Sequence, residues 1–233
     1  MKRSGGAADA KRNAAEHAAD RVTDGMTVGL GTGSTAAFAI RALGRAVDAG
    51  LDITGVATSL QSRALAREVG IPLVSLPDVD EIDLAIDGAD QVAADGAALL
   101  KGGGAAHARE KVVDAAATTF HVVVDESKLA ADLDGPVPVE VLPAARTQVA
   151  DAVGRAGGDP EIRAATAKDG PVVTDNGNLV LDCAFGRVTD PPALAGRLDG
   201  IPGVVAHGLF VDVADAVHVG SSEGVDVRRP DSP

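Results

Sequence analysis

The chain has 233 residues, of which 45% are hydrophobic and 24% charged, values that exclude a disordered chain, a fibre and a disulfide-stapled miniprotein. No apolar run reaches the roughly 20 residues of a membrane helix, and residues 1–12 lack the apolar stretch of a signal peptide. Because Cys183 is the only cysteine, no internal disulfide can form. We therefore expect a cytoplasmic protein without a membrane partner.

The charge is strongly acidic, because 34 Asp and Glu face 21 Lys and Arg, giving −13. This average field repels a phosphate backbone, so we expect no nucleic-acid partner. Aspartate outnumbers glutamate by 26 to 8, and arginine outnumbers lysine by 15 to 6. One hypothesis is that the protein is halophilic, because high salt would screen the repulsion among its acidic side chains. The other is a genomic base composition that favours Ala, Gly, Asp and Arg, and both can hold.

The first half of the chain alternates helical and strand patterns. An alanine-rich stripe predicts a helix over 8–22. Three further helices are predicted at 35–47, 60–69 and 105–117. Short apolar strands are predicted at 26–30, 51–57, 72–75, 83–86 and 120–124. Strands that alternate with helices at this spacing indicate a mostly parallel sheet covered on both faces.

The pattern changes near Pro136, where an extended, proline-punctuated segment begins. Asn176-Gly177 lies between apolar runs, which is a strong hairpin signal. Around it, helices are predicted at 144–156 and 192–198, and strands at 161–164, 172–173, 179–183 and 203–206. This order suits a small α+β domain of the split βαβ type. The last predicted strands, which we expect to return to the first sheet, are 208–213, 216–220 and 224–227.

A glycine-rich loop, GLGTGSTA at 29–36, follows the first predicted strand. Glycines let the backbone approach a ligand, and the start of the next helix offers unpaired N–H groups. With the hydroxyls of Thr32, Ser34 and Thr35, the loop predicts a phosphate or other anion site. The alternative is a tight turn in which Ser34 or Thr35 caps the helix.

The same loop fits the GxGxx[GA] dinucleotide fingerprint, which needs an acidic residue at the end of the second strand. That strand ends at Ala57, followed by Thr58 and Ser59, and the nearest acid, Asp52, lies at its start. The dinucleotide interpretation is therefore disfavoured. The hydroxyls of 58–62 suit a ligand contact and a helix N-cap equally well.

Two aspartates follow the predicted strand at 83–86. Asp87 lies at its carboxyl end and Asp90 three residues later, across a glycine turn. Neighbouring carboxylates can divide acid and base roles, because repulsion or burial raises one pKa. The alternatives are an Asx-turn or a solvated loop in an Asp-rich chain.

The stretch LLKGGGAAHAREK at 99–111 is the most informative. Three glycines after Lys101 can form a concavity of backbone N–H groups that holds an oxyanion. Glu110, about two turns into the following helix, is a candidate general base, although an exposed helix position is its ordinary interpretation. Lys128, after the strand at 120–124, could reach an anion at the same edge of the sheet.

These motifs, in this order, resemble type A ribose-5-phosphate isomerases. The matching stretches are GLGTGSTAAFAI (29–40), DLAIDGAD (83–90), LLKGGGAAHAREK (99–111), VVVDESK (122–128), PVPVEVLP (136–143), VVTDNGNLVLD (172–182) and IPGVVAHGLF (201–210). The resemblance extends from about residue 11 to residue 227. One departure is Gln91, where many members have glutamate, which puts only a secondary charge in doubt.

The resemblance implies interconversion of D-ribose 5-phosphate and D-ribulose 5-phosphate through an enediolate, in the non-oxidative pentose phosphate pathway, without metal or cofactor. Glu110 would move the proton between C2 and C1, and Asp87 would assist ring opening and proton exchange at the sugar oxygens. Lys101 would stabilise the enediolate oxygen, and Asp90 would help to bind the sugar. The remaining substrate-binding residues would be Gly102, Gly103, Gly104, Thr32, Gly33, Ser34, Thr35, Lys128 and, near the phosphate, Lys11.

The resemblance also implies a Rossmann-like catalytic domain, a smaller α+β (ferredoxin-like) lid domain, and a homodimer or homotetramer. We place the catalytic domain at 1–135 with 207–233 and the lid-like domain at 136–206. Two other functions stay open. A non-catalytic sugar-phosphate sensor is opposed by the intact Glu110, and a dinucleotide oxidoreductase by the missing ribose-binding acid.

Overall fold

The computed structural model describes residues 8–230, so the outer ends of the predicted catalytic domain, 1–7 and 231–233, lie outside the described residues. The α-helices are α1 (Ala8–Ala19), α2 (Ala36–Asp48), α3 (Leu60–Glu68), α4 (His107–Ala116), α5 (Arg146–Arg155) and α6 (Pro191–Asp199). The strands are β1 (Thr27–Leu30), β2 (Thr54–Ala57), β3 (Ile82–Gly88), β4 (Gln91–Ala93), β5 (Ala98–Leu100), β6 (Ala117–Asp125), β7 (Leu129–Ala130), β8 (Val137–Val141), β9 (Asp159–Ile162), β10 (Leu179–Ala184), β11 (Val204–His207), β12 (Leu209–Val211), β13 (Ala216–Gly220) and β14 (Val225–Arg228). No described helix has the length and apolar character needed to span a bilayer.

The largest sheet has six strands in the order β14-β13-β6-β3-β1-β2. All neighbours run parallel except β13 and β14. Helices α1 and α2 pack on one face, where their alanine and leucine side chains join those of β1 in one buried core. The predicted α/β class is therefore confirmed. The chain passes from β1 to β2 on one side and to β3 on the other, so a crevice opens at the carboxyl ends of β1 and β3.

The second sheet is antiparallel, with the order β11-β8-β10-β9. In chain order its elements run β8, α5, β9, β10, α6, β11, the strand-helix-strand-strand-helix-strand series expected from the sequence. Val137, Val139 and Val141 of β8 alternate along the strand and pack with α5 and α6 in a separate core. The domain limits themselves stay a prediction.

A third sheet, β12-β5-β4-β7, was not predicted. The expectation that 208–213 returns to the first sheet is wrong, because β12 pairs with β5 through Leu209 and Leu100. The strands expected at 72–75 and 172–173 are also wrong, since Leu73 and Val173 form only isolated bridges. An apolar pattern predicts an extended segment without identifying its partner, and strands of two or three residues leave no periodic signal.

Candidate active site

The glycine-rich loop after β1 lies directly against Asp87, at the end of β3. The N–H of Thr32 donates to Asp87 Oδ1 over 2.9 Å, and the N–H of Gly88 donates to the same oxygen over 2.7 Å. A Cβ atom at Gly31 would lie 2.2 Å from that oxygen. Glycine is therefore required at position 31 by the approach of the carboxylate.

Three hydroxyls join the loop to the end of β2. Thr32 Oγ1 lies 2.8 Å from Thr58 Oγ1 and 2.7 Å from Ser59 Oγ. Ser59 also caps α3, accepting from the N–H of Ser62 in a reciprocal capping box. The N-cap interpretation of 58–62 is thus confirmed at Ser59, and the same hydroxyls hold the loop that was predicted to bind an anion. The ligand contact stays a prediction.

The start of α2 lies beside a small cavity. Thr35 occupies the N-cap position, but its side chain makes no capping hydrogen bond. Gly33, Ser34 and Thr35 line a small cavity at this point. The capping interpretation is therefore not realised by Thr35. The N–H groups of Ala37 and Phe38 already donate to the carbonyls of Gly33 and Thr35 over 3.0 Å, so the loop before the helix, with its hydroxyls, is the part that faces the cavity.

Lys101, at the end of β5, is the centre of a buried charge cluster. Its side chain is 1% exposed, and its ammonium donates to the carbonyl of Gly88 over 2.7 Å. Nζ lies 2.9 Å from Asp87 Oδ2, 3.5 Å from Glu110 Oε2 and 3.4 Å from Asp114 Oδ2. The fold thus brings β3, β5 and α4 together around one ammonium group.

The cluster changes the ionisation of its members. Burial alone would lower the pKa of Lys101, but the surrounding carboxylates hold it above its usual value, so the side chain stays cationic. Burial raises the pKa of Glu110 well above its ordinary value, and the nearby Lys101 offsets part of this rise. The ordinary alternative for Glu110, an exposed helix position, is wrong, since the residue is 4% exposed. A carboxyl group with a raised pKa can exchange protons near neutral pH.

Asp114 is the member of the cluster that sequence reasoning missed. It lies one helical turn after Glu110 on α4, is 3% exposed, and burial raises its pKa to about 8. The four-residue spacing from Glu110 on a predicted helix places both carboxylates on one face. That spacing was the available signal, but an Asp-rich chain offers many such pairs.

The three-glycine loop is arranged differently from the predicted oxyanion hole. The N–H of Gly103 donates to Asp90 Oδ2 over 2.6 Å, and a Cβ atom at Gly103 would lie 2.7 Å from Asp90 Oδ1. This donor is therefore occupied by the protein itself. Within the described residues, the N–H groups of Gly102 and Gly104 make no hydrogen bond and are the donors left for a ligand oxygen.

One cavity collects most of the predicted site residues. It is lined by Thr32, Gly33, Ser34, Thr35, Gly88, Ala89, Asp90, Lys101, Gly102, Gly103, Gly104, Glu110 and Lys128. Asp87 lies beneath this surface, fully enclosed. Lys11, on α1, does not line the cavity, so its predicted place near a phosphate stays a prediction. Among the described residues, no group of three or more His, Cys, Asp or Glu is arranged to hold a metal ion.

Gln91 joins the site to the start of the second sheet. Its side-chain N–H donates to Asp134 Oδ1 over 2.6 Å. Its carbonyl oxygen accepts from the backbone N–H groups of Asp134 and Gly135. This arrangement requires a donor and an acceptor on one side chain, which an amide supplies and an ionised carboxylate does not.

The arrangement suits one kind of chemistry. A buried carboxylate with a raised pKa lies beside a fixed cation, and backbone N–H groups and hydroxyls surround the same cavity. A base, a site that stabilises an oxyanion and an anion-binding loop are what proton abstraction beside a carbonyl requires in a phosphorylated substrate.

Comparison with known proteins gives a consistent result. The model of the family described as ribose 5-phosphate isomerase A (phosphoriboisomerase A) matches residues 54–224. A ribose-5-phosphate isomerase A from Haloarcula marismortui is 63% identical over 226 residues, covering 97% of this chain and 98% of that protein.

Solved structures agree with this match. The ribose 5-phosphate isomerase A of Methanocaldococcus jannaschii is 44% identical with a TM-score of 0.90, covering 95% of this chain and 98% of that chain. A D-ribose-5-phosphate isomerase solved in complex with phospho-erythronic acid is also 44% identical, with a TM-score of 0.92 and the same coverage.

Proposed function

The chain belongs to the ribose 5-phosphate isomerase A family and interconverts D-ribose 5-phosphate and D-ribulose 5-phosphate; we propose that Glu110 is the base that moves the proton between C2 and C1. The observation that carries this proposal is the position of Glu110 Oε2, 3.5 Å from the buried ammonium of Lys101 and on the wall of the cavity. A base beside a fixed cation can take a proton while the cation stabilises the charge that develops.

The proposed step is a proton transfer on the open-chain sugar. Glu110 takes the proton from C2, the electrons of that C–H bond form the C1–C2 double bond, and the C1 carbonyl oxygen becomes the enediolate oxygen. Glu110 then returns the proton to C1, and the proton of the C2 hydroxyl passes to the C1 oxygen, so that C2 becomes the carbonyl carbon and C1 carries the hydroxyl group. Lys101 and the free N–H groups of Gly102 and Gly104 are proposed to stabilise the negative oxygen.

The other predicted residues have proposed binding roles. The N–H groups and hydroxyls of Thr32, Gly33, Ser34 and Thr35 would hold substrate oxygens, with Lys128 on the same wall of the cavity. Asp90, fixed by Gly103, would accept from a sugar hydroxyl. Asp87 is enclosed, and its carboxylate lies 2.9 Å from the ammonium of Lys101. We therefore propose that its exchange of protons with the sugar oxygens during ring opening runs through Lys101.

The test is formation of D-ribulose 5-phosphate from D-ribose 5-phosphate in molar KCl, with EDTA present and absent. We expect turnover in both conditions. Glu110→Gln keeps the shape of the side chain and should lower kcat by on the order of 10²–10⁴ with KM nearly unchanged. Glu68→Gln, on the exposed face of α3, is the matched control and should keep wild-type turnover. Unchanged turnover in Glu110→Gln would remove Glu110 from the mechanism.

We also propose a homodimer or homotetramer in the cytoplasm. The family resemblance supports the assembly, and so does an apolar groove of about 460 Å³ that includes the exposed Val112 and Val205. Two features support the cytoplasmic location. The substrates are charged sugar phosphates, and the chain has a single cysteine, Cys183. Light scattering coupled to size-exclusion chromatography tests the assembly. A monomer at micromolar concentration would contradict the proposal.

We propose, finally, that residues 136–206 act as a lid-like domain beside a catalytic domain formed by 1–135 and 207–233. Most members of one buried core lie within 136–206, which supports this division, and Ala98, Leu100, Leu133 and Leu209 join that core from the catalytic domain. Comparison of amide exchange with and without phospho-erythronic acid tests it. Protection confined to 136–206 and the cavity wall would support a lid, and no change in 136–206 would exclude one.

A further inference from the structure

Arg163 reaches from the second sheet to the catalytic loop. It follows β9, and its guanidinium is held by Asp182 of β10 through two hydrogen bonds, from Nε over 2.9 Å and from Nη2. The side chain is 14% exposed. Its remaining donor, Nη1, lies 2.8 Å from the carbonyl oxygen of Gly102. No sequence motif singled out this arginine.

The contact acts on one peptide group. The carbonyl of Gly102 accepts from Arg163 and also from the N–H of Ala105 over 3.0 Å. The N–H of the same peptide group belongs to Gly103 and donates to Asp90 over 2.6 Å. Because a peptide group is planar, fixing the carbonyl on one side fixes the direction of the N–H on the other. Charge on the carbonyl side also polarises the group and strengthens its N–H as a donor.

We propose that Arg163 is a positioning residue of the isomerase, which fixes the Gly102–Gly103 peptide group and through it the carboxylate of Asp90. The proposal rests on the proposed function, because the loop it positions is the one that carries Lys101. Arg163 does not line the cavity described above and is not assigned a contact with substrate.

The loop needs such a restraint. Three consecutive glycines are the most flexible residues a chain can offer, and Gly102 has a φ of +102°. On the other side, the N–H of Lys101 donates to the carbonyl of Gly208 over 2.8 Å. With Arg163 in place, the chain is therefore fixed both at the lysine and after it. Without Arg163, the glycines can rotate, and both Asp90 and the free N–H of Gly104 lose their alignment.

The experiment compares Arg163→Ala, Arg163→Lys and Asp182→Asn with wild type. We expect Arg163→Ala to lower kcat by about 10- to 100-fold, the range for misplaced reacting groups, with KM within about threefold. The inhibition constant of phospho-erythronic acid should rise as kcat falls, because we expect that anion to bind to the same loop. Arg163→Lys should recover part of kcat, since an ammonium can still donate to Gly102.

Two controls separate positioning from folding. Arg197→Ala removes an exposed arginine from helix α6, which precedes β11 of the second sheet, and should keep wild-type kinetics. Amide exchange measured by mass spectrometry on peptides that contain Gly103 should become faster in Arg163→Ala, while exchange in β8 and β10 stays as in wild type. If Arg163→Ala does not fold, Arg163→Lys and Asp182→Asn supply the same two measurements.

The outcomes are distinct. Reduced kcat together with faster exchange at Gly103 supports the proposal. Wild-type kcat in folded Arg163→Ala overturns it, as does a loss of kcat without any change of exchange at Gly103. A wild-type protein without isomerase activity would instead overturn the proposed function, and the exchange measurement would then still report whether Arg163 fixes the loop.

Discussion

The carboxylate of Asp114 lies 3.4 Å from the ammonium of Lys101, with no hydrogen-bond donor on either of its oxygens among the described residues. Lys101 already donates to Gly88 and lies closer to Asp87. An ionised carboxylate with a single distant partner is costly to bury, so a proton on Asp114 is the favourable state.

This relationship predicts how stability depends on pH. The pKa of Asp114 is about 8 in the folded protein, against an ordinary value of 3.8. Between these values the unfolded chain releases the proton and the folded protein keeps it, so this residue lowers stability as the pH rises. Asp114→Asn cannot ionise and should gain stability relative to wild type by on the order of 1 kcal/mol per pH unit from pH 4 to pH 8.

Urea unfolding at pH 5, 7 and 9 measures this difference. Asp151→Asn, exposed on α5, is the matched control and should show no growing difference. Because Asp114 carries a proton at pH 7, its asparagine variant should also keep kcat within about tenfold of wild type. A pH-independent difference in unfolding free energy would mean that Asp114 is ionised in the folded protein.

Removal of the central cation should have a larger effect. Lys101→Met leaves Asp87 and Glu110 buried without their shared counter-ion, beside the protonated Asp114. We expect the free energy of unfolding at pH 7 to fall by about 3–5 kcal/mol and kcat to fall by about 10²–10³. The loss of stability should be smaller at pH 5, where protonation relieves the repulsion. Lys168→Met, exposed before the hairpin, is the control. Equal losses at both pH values would show that the carboxylates do not depend on Lys101.

The departure at position 91 has a structural reason that can be tested. Gln91→Glu would place a carboxylate 2.6 Å from Asp134 Oδ1 and remove the donor between them. We expect a loss of stability of about 2–3 kcal/mol at pH 7, reduced at pH 4. Gln148→Glu, exposed on α5, serves as the comparison. A variant as stable as wild type at pH 7 would show that the bond to Asp134 contributes nothing.

The acidic surface gives a prediction about salt. With a net charge of −13, the acidic side chains repel one another in dilute buffer. Salt ions screen this repulsion beyond about 10 Å at 0.1 M. We expect the melting temperature to rise with KCl up to molar concentration, as suits a chain similar to proteins from Haloarcula and Halorubrum. Full stability in dilute buffer would leave base composition as the explanation of the aspartates.

Much of the fold was predictable because the strands of the main sheet are buried and apolar, as Val122–Val124 illustrate, and because Asn176-Gly177 marks the turn before β10. The third sheet was not, since β7 has two residues and its pairing is decided by distant packing. In the site, motifs identified Lys101, Asp87 and Glu110. Arg163 contacts Gly102 from a distant element, which no local pattern encodes. Asp114 lies four residues after Glu110 on one helix, but an Asp-rich chain offers many such pairs.

The central claim, that Glu110 removes the proton from C2, is tested most directly by exchange of that hydrogen with solvent. D-ribose 5-phosphate is incubated in D₂O with wild type or Glu110→Gln, and loss of the C2 hydrogen is followed by proton NMR. We expect exchange and isomerisation to fall together in the variant, by on the order of 10²–10⁴. Exchange at the wild-type rate in folded Glu110→Gln would contradict the account.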